Sequence, residues 1–218
     1  MSFSVRDYQG RVNGILGEPR LVIDGMSGPK TRAAIADACK LKGVRRRQDL
    51  FNRGVRGIVW HWAAGSKGLI TLELKSYNFL HDVEGNTHDV KATIAEQVMY
   101  DWRRGVGVSH TRSMNTGWIG QSVDAMAGAK QNNPITWGSN PITWEGLDAM
   151  LEQSADLVEE YDIPVSKWTT LSHAEVQPTL GVRQKWKWDY VVLPGDTVSR
   201  DPVEVGDILR KRMVEKFL

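Results

Sequence analysis

Cysteine is almost absent from the sequence. Cys39 is the only one in 218 residues, so no intrachain disulfide can form and a small fold stapled by disulfides is excluded. No run of about 18 apolar residues occurs, so membrane insertion is not expected. The opening stretch MSFSVRDYQGRV lacks the apolar centre of a secretory signal, and the expectation is synthesis in the cytoplasm. Charge of one sign is missing too. Twenty-eight basic against 26 acidic residues leave a net charge of +2, which suits an acidic polymer but demands no nucleic acid, and none is expected as a partner. There is no HExxH, so the two-histidine helix of one large metalloprotease class is excluded.

What is present describes a globular chain long enough for one good core and a small accessory unit, with 41% hydrophobic and 25% charged residues. A monomer is expected. Nine tryptophans are many for this length. Core packing accounts for most of them, but flat indoles also stack on sugar rings, which favours a glycan substrate slightly.

The stretch LSHAEVQPTLGVRQKWKWD, residues 171 to 189, offers His173 and Asp189 as metal-ligand types with Lys187 between them. A third ligand is expected upstream, where Ile58, Val59 and Trp60 form a short strand-like run that ends in His61. Two imidazoles and one carboxylate leave one tetrahedral position open for water, as catalytic zinc sites do. Spacing alone does not decide it: His61 and His173 lie 112 residues apart, and a lone histidine is more often a surface or hydrogen-bonded core residue than a ligand.

In chain order, residues 4 to 16 place Val5, Tyr8, Val12 and Ile15 on one helical face, and Pro29 opens a second helix that Gly43 stops. Residues 43 to 56, with Arg45, Arg46 and Arg47 in a row, read as a basic linker. Beyond it the pattern becomes mixed. A strand at 57 to 61 leads through a Gly/Ser/Lys turn to a hairpin in which Tyr77, Phe79 and His81 alternate before Glu84, Gly85 and Asn86. Residues 91 to 105 fit either a helix or a loop. A strand is expected from Trp118 to Val123, and a helix of about five turns after a Thr143 cap, ending before Pro164. KWTTLSH returns as a strand that carries His173, and a last helix runs from Pro202 to Lys216.

Two resemblances attach to these residues. IDGMSGPKTRAAI resembles the DGxxGPKTRxA motif of the small helical peptidoglycan-binding domain, with Tyr8, Gln9 and Asn13 fitting its first helix; the same Asp24, Gly25 and Gly28 also simply shape a turn. WHWAAG, SYNFLHDVEGN, SHTRSMNTGWIGQSVDAMAG and LSHAEVQPTLG with KWD follow in the order and approximate spacing of the zinc-dependent N-acetylmuramoyl-L-alanine amidases, whose fold peptidoglycan recognition proteins share. That resemblance implies an α/β fold, a mixed central sheet flanked by helices, preceded by a small helical module. It implies residues 1–43 as the module, 44–56 as linker and 57–218 as catalytic domain. It carries over His61, His173 and Asp189 as Zn2+ ligands, Lys187 and Tyr77 as catalytic residues, and bacterial peptidoglycan as substrate. Glu175 is the competitor of Asp189 for the closing ligand and a candidate partner for a ligand imidazole.

The pattern departs from the family in places. Sixteen positions separate His61 from Tyr77, so an intervening helix is expected to be missing, and Ser122 and Asp124 stand where some relatives place a glutamate base. The implied activity is that of an endolysin reaching the wall after the membrane is permeabilised. The alternatives are a noncatalytic peptidoglycan-binding protein of the same fold and a cytoplasmic muropeptide-recycling amidase. Taken singly, Lys187 is equally a surface cation over the indoles of Trp186 and Trp188, Tyr77 a core aromatic, and His110 and Asn115 residues that merely fold their loop.

Overall fold

The computed structural model describes residues 3–17, 21–65, 68, 70–88 and 90–218. Pro19 and most of the turn expected after the first strand lie outside them. The first helix, α1 (Val5–Leu16), begins at a capping box in which Ser4 accepts from the Asp7 N–H while the Asp7 carboxylate accepts from the Ser4 N–H. The second, α2 (Pro29–Leu41), starts on a proline at its first turn, where no N–H is needed. Between them Gly25 turns at φ 80°, while the Gln9 side chain donates to Asp24 and accepts from the Gly25 N–H. Tyr8, Val12, Ala34 and Ala38 form an apolar cluster with Leu50 and Phe51, which two short 3-10 turns deliver. Arg45, Arg46 and Arg47, just before, are exposed.

The remainder builds a five-stranded sheet in the order β3-β2-β4-β1-β5, a mixed α/β arrangement flanked by helices. Its strands are β1 (Gly57–Trp62), β2 (Phe79–His81), β3 (Thr87–His88), β4 (Trp118–Val123) and β5 (Thr170–Ser172). β3 alone is antiparallel, closing the expected hairpin on β2. β1 lies between β4 and β5 and all six of its residues are buried, as a parallel strand covered on both faces requires.

One face carries Ile58, Trp60, Trp62 and Val123 against α4 (Trp144–Glu160) and α6 (Pro202–Phe217). There the Trp60 indole N–H donates 2.9 Å to Ser154, whose hydroxyl lies 2.8 Å from Gln121 Oε1. Thr143 caps α4 by accepting from the Gly146 N–H, and Asp201 caps α6 by accepting from the N–H groups of Val203 and Glu204. The opposite face presents Val59, Trp118 and Leu171 to Met114 and to α5 (Val176–Leu180). Residues 91–105 resolve into a five-residue helix, α3 (Ile94–Val98), and a turn bridged between Asp101 and Val106. No helix of the described residues is long and apolar enough to cross a membrane.

The helical N-terminal part is docked on the sheet part. Arg11 donates to the carbonyls of Leu50 and Asp162 at 2.7 and 2.6 Å, Lys42 pairs with Asp162 at 2.9 Å, and Arg56 pairs with Asp7 at 2.9 Å.

A buried ion pair locks the turn after β5. Arg210 on α6 donates to both oxygens of Glu175, at 2.8 and 3.2 Å, and to the carbonyl of Thr170 at 2.8 Å. Gly206 makes room for it, since a Cβ there would lie 2.1 Å from a Glu175 oxygen. Removing one partner strands the other charge in the interior, which typically costs about 3–5 kcal/mol. Arg210→Met is therefore expected to destabilise the protein by about that much in urea unfolding, and Glu175→Leu added to it to recover part of the loss. A change below about 1 kcal/mol in the single variant would show that the pair does not hold this turn.

Candidate metal centre

Three side chains meet at the carboxyl ends of β1 and β5, where open α/β sheets characteristically bind ligands. His61 is the fifth residue of β1 and shares its face with Val59, because side chains alternate along a strand. His173 follows β5, its N–H donating to the carbonyl of Trp60 at 3.0 Å. Asp189 arrives from the loop after α5 and accepts from the Trp62 N–H at 3.3 Å. Next to it Tyr190, fully buried, donates its hydroxyl to the His61 carbonyl at 2.6 Å and so ties that loop to β1.

Each of the three offers one ligand atom, all within 4.8 Å of one another. The two Nδ1 atoms are 3.0 Å apart, and the Asp189 oxygens lie 4.0 Å from that of His61 and 3.9 Å from that of His173. Tetrahedral N and O ligands held at zinc bond lengths are spaced about 3.3–3.6 Å, so the observed separations bracket what such an ion needs.

The protonation pattern points the same way. His110 Nε2 faces the Trp118 carbonyl at 3.0 Å, His110 Nδ1 faces His61 Nε2 at 3.1 Å, His61 Nδ1 faces His173 Nδ1, and His173 Nε2 faces Gln184 Oε1 at 3.1 Å. The Gln184 amide is oriented by donating to the Arg112 carbonyl at 3.0 Å, so its oxygen must accept. These contacts form four gaps, and three neutral imidazoles carry only three N–H protons. Both end gaps need a proton because a carbonyl oxygen waits there. Of the two inner gaps, one has the Thr111 hydroxyl beside it, 2.9 Å from His110 Nδ1 and 3.3 Å from His61 Nε2, and the other has the Asp189 carboxylate, where a positive ion would be favoured.

The rings do stay neutral. Burial, followed by the neighbouring His173, His110 and Lys187, pushes His61 well below the ordinary imidazole range. Burial, with Lys187 adding, brings His173 down to about 4, and burial brings His110 to about 3. Burial also raises Asp189 to about 6, against the opposing pull of Lys187. Neutral imidazole is the ligand form, so the histidines have no proton to lose before taking up a cation.

Lys187 is exposed at the rim, and its charge reaches all three groups. Among the described residues it lies over neither neighbouring indole, which removes the stacked-cation reading. The Tyr77 ring sits 5.2 Å from that of His61. Burial and then the Asp189 charge raise its pKa, so it remains a donor. Ser122 stands opposite His61 in the β4–β1 register.

Glu175 requires a correction. It touches neither imidazole, because its oxygens are taken by Arg210 and by the Ser172 N–H at 2.7 Å. The groups that hold the ligand rings are Gln184 for His173, and Thr111 and His110 for His61. His110 rests on Gly120 of β4, where a Cβ would lie 2.5 Å from the imidazole ring. Asn115 does fold its loop, accepting from the N–H groups of His110 and Thr111. A more enclosed cavity of about 260 Å3, lined by Arg6, Gly10, Trp118, Trp168 and Leu180 among others, includes none of the three ligand residues.

No protein-family model matches this chain, and no curated protein does. Among solved structures it is similar to N-acetylmuramoyl-L-alanine amidase LysC from Clostridium intestinale URNW, at 14% identity and a TM-score of 0.40, over 72% of this chain and 87% of that one. A likeness that loose assigns no activity.

The chain is expected to bind one divalent transition-metal ion, and His61→Ala, His173→Ala and Asp189→Ala each to abolish binding in a chelator-competition titration. Gln184→Ala should weaken affinity by about 10- to 100-fold, the usual effect of losing a group that orients a ligand imidazole. Unchanged stoichiometry in His61→Ala would rule the triplet out.

Proposed function

We propose that the chain is a zinc-dependent peptidoglycan hydrolase of the endolysin type, an N-acetylmuramoyl-L-alanine amidase that cuts the amide joining the lactyl group of the glycan to the first alanine of the stem peptide. The observation that carries this reading is the meeting of two neutral histidines and one carboxylate, with Tyr77 and Lys187 beside them, each at the place in the chain where the family pattern has it. In this reading residues 1–43 form a wall-binding module, 44–56 the segment that joins it, and 57–218 the catalytic domain. The shared apolar cluster of α1 and α2 supports a compact module, and the Gln9 clamp on Asp24-Gly25 accounts for the DG of its motif.

His61, His173 and Asp189 would hold a zinc ion, which would supply Lewis-acid chemistry and make water a better nucleophile near neutral pH. The chain's own groups do the rest. Water adds to the amide carbonyl, the C–N bond breaks, and the departing alanine nitrogen takes up a proton. Lys187 places an ammonium at the rim, where it stabilises the negative charge that grows on the carbonyl oxygen. Tyr77, kept protonated by burial, orients the water or donates toward the leaving nitrogen. Asp189 and the two neutral rings fix the reaction centre, and Gln184, Thr111 and His110 fix the rings.

The test is the clearing of purified cell walls with and without chelator, with the products analysed for new ends. The expected result is a free amino terminus on stem alanine and no new reducing sugar ends. Lys187→Ala should keep its metal and lose about 100- to 1,000-fold in kcat. Activity that merely tracks residual metal in Lys187→Ala, or walls cleared through new reducing ends, would contradict the assignment.

A further inference from the structure

A groove of about 520 Å3 adjoins the metal centre, a volume within the ~300–1,000 Å3 typical of small-ligand clefts. Its lining includes Trp186, Trp188, Gln177, Pro178 and Gln184, the last of which holds His173. Trp186 is 86% exposed, the most of any large hydrophobic side chain among the described residues. Its backbone sits at φ 54°, a region that disfavours residues other than glycine or asparagine. Two positions on, Trp188 packs edge-on against Trp62 at 4.8 Å. The loop thus anchors one indole in the core and turns the other into water. Across the groove Gln177 accepts the Gln184 N–H through its oxygen, and its NH2 has no hydrogen-bond partner among the described residues.

We propose that this groove is a saccharide subsite, in which Trp186 stacks on the apolar face of an N-acetylhexosamine ring of the glycan and the Gln177 amide bonds the ring's polar rim. A sugar ring has one C–H face and an edge of neutral donors and acceptors. An exposed indole opposite a neutral amide matches both. A stem peptide bearing carboxylates asks instead for several cations. The groove lining supplies one, Lys187, and its charge already acts on the metal-ligand triplet. The inference rests on the amidase reading only in that Gln184 of the groove lining is hydrogen-bonded to His173.

The test uses the full chain stripped of metal, so that binding is read apart from hydrolysis. A peptide-free N-acetylglucosamine oligomer and a free stem peptide are titrated by calorimetry. The oligomer should bind; Trp186→Ala should weaken it about tenfold or more, and Trp186→Phe less. With metal restored, Trp186→Ala should raise KM for glycan-bearing substrate about tenfold with little change in kcat, the mark of lost uniform binding. Oligomer affinity unmoved by Trp186→Ala, or stem-peptide affinity lost in its place, overturns the subsite. Wall hydrolysis with unchanged KM in Trp186→Ala overturns the subsite and leaves the amidase reading standing. Trp186-dependent oligomer binding with no hydrolysis does the reverse.

Discussion

Two imidazole nitrogens face each other across 3.0 Å with a carboxylate beside them, and much of the architecture exists to hold them so. Left alone, two lone pairs at that distance repel. Without an ion, neutral His61 relieves this by carrying its one proton on Nδ1, and burial keeps either ring from gaining a second, holding His173 down at about 4 and His61 lower than its ordinary range. The carbonyls of Trp118 and Gln184 claim the outer protons of the row. What remains is a buried triplet of two imidazoles and a carboxylate that could hold a metal ion.

The scaffold enforces this from several sides. β1 is pinned between two parallel neighbours, so His61 cannot swing away without breaking a fully buried strand. The turn that carries His173 is nailed to α6 by the Glu175–Arg210 pair. Asp189 is drawn in by Tyr190, whose hydroxyl ends on the backbone of His61 itself. Each anchor is buried and hydrogen-bonded, which holds the triplet in place while Lys187 and Trp186 at the rim stay exposed.

Much of this was legible in the residues. The strand-like run before His61, the alternation around Phe79, the Thr143 cap with its long apolar face and the proline start of α6 all form where local pattern places them. The grouping of His61, His173 and Asp189 was named from the family resemblance, since their spacing alone does not decide it, and the three do meet as a triplet that could hold a metal ion. Contacts between elements were not legible. Nothing near Glu175 in the chain announces Arg210, which waits 35 residues on, so the carboxylate read as free to hold an imidazole. His110 read as a loop residue because its role depends on Gly120 leaving space on a neighbouring strand. The run at 91–105 was ambiguous because its helix is only five residues long, too short to show a period.

The central claim is that the cation sits between the Nδ1 atoms of His61 and His173 and leaves His110 outside. Long-range proton–nitrogen NMR of the histidine-labelled protein, recorded as cadmium is titrated in, reads this directly. The account predicts that all three rings end with the proton on Nε2 and that metal–nitrogen coupling appears at Nδ1 of His61 and His173 alone. Coupling at any Nε2, coupling at His110, or saturating metal with no coupling at either Nδ1 would contradict it.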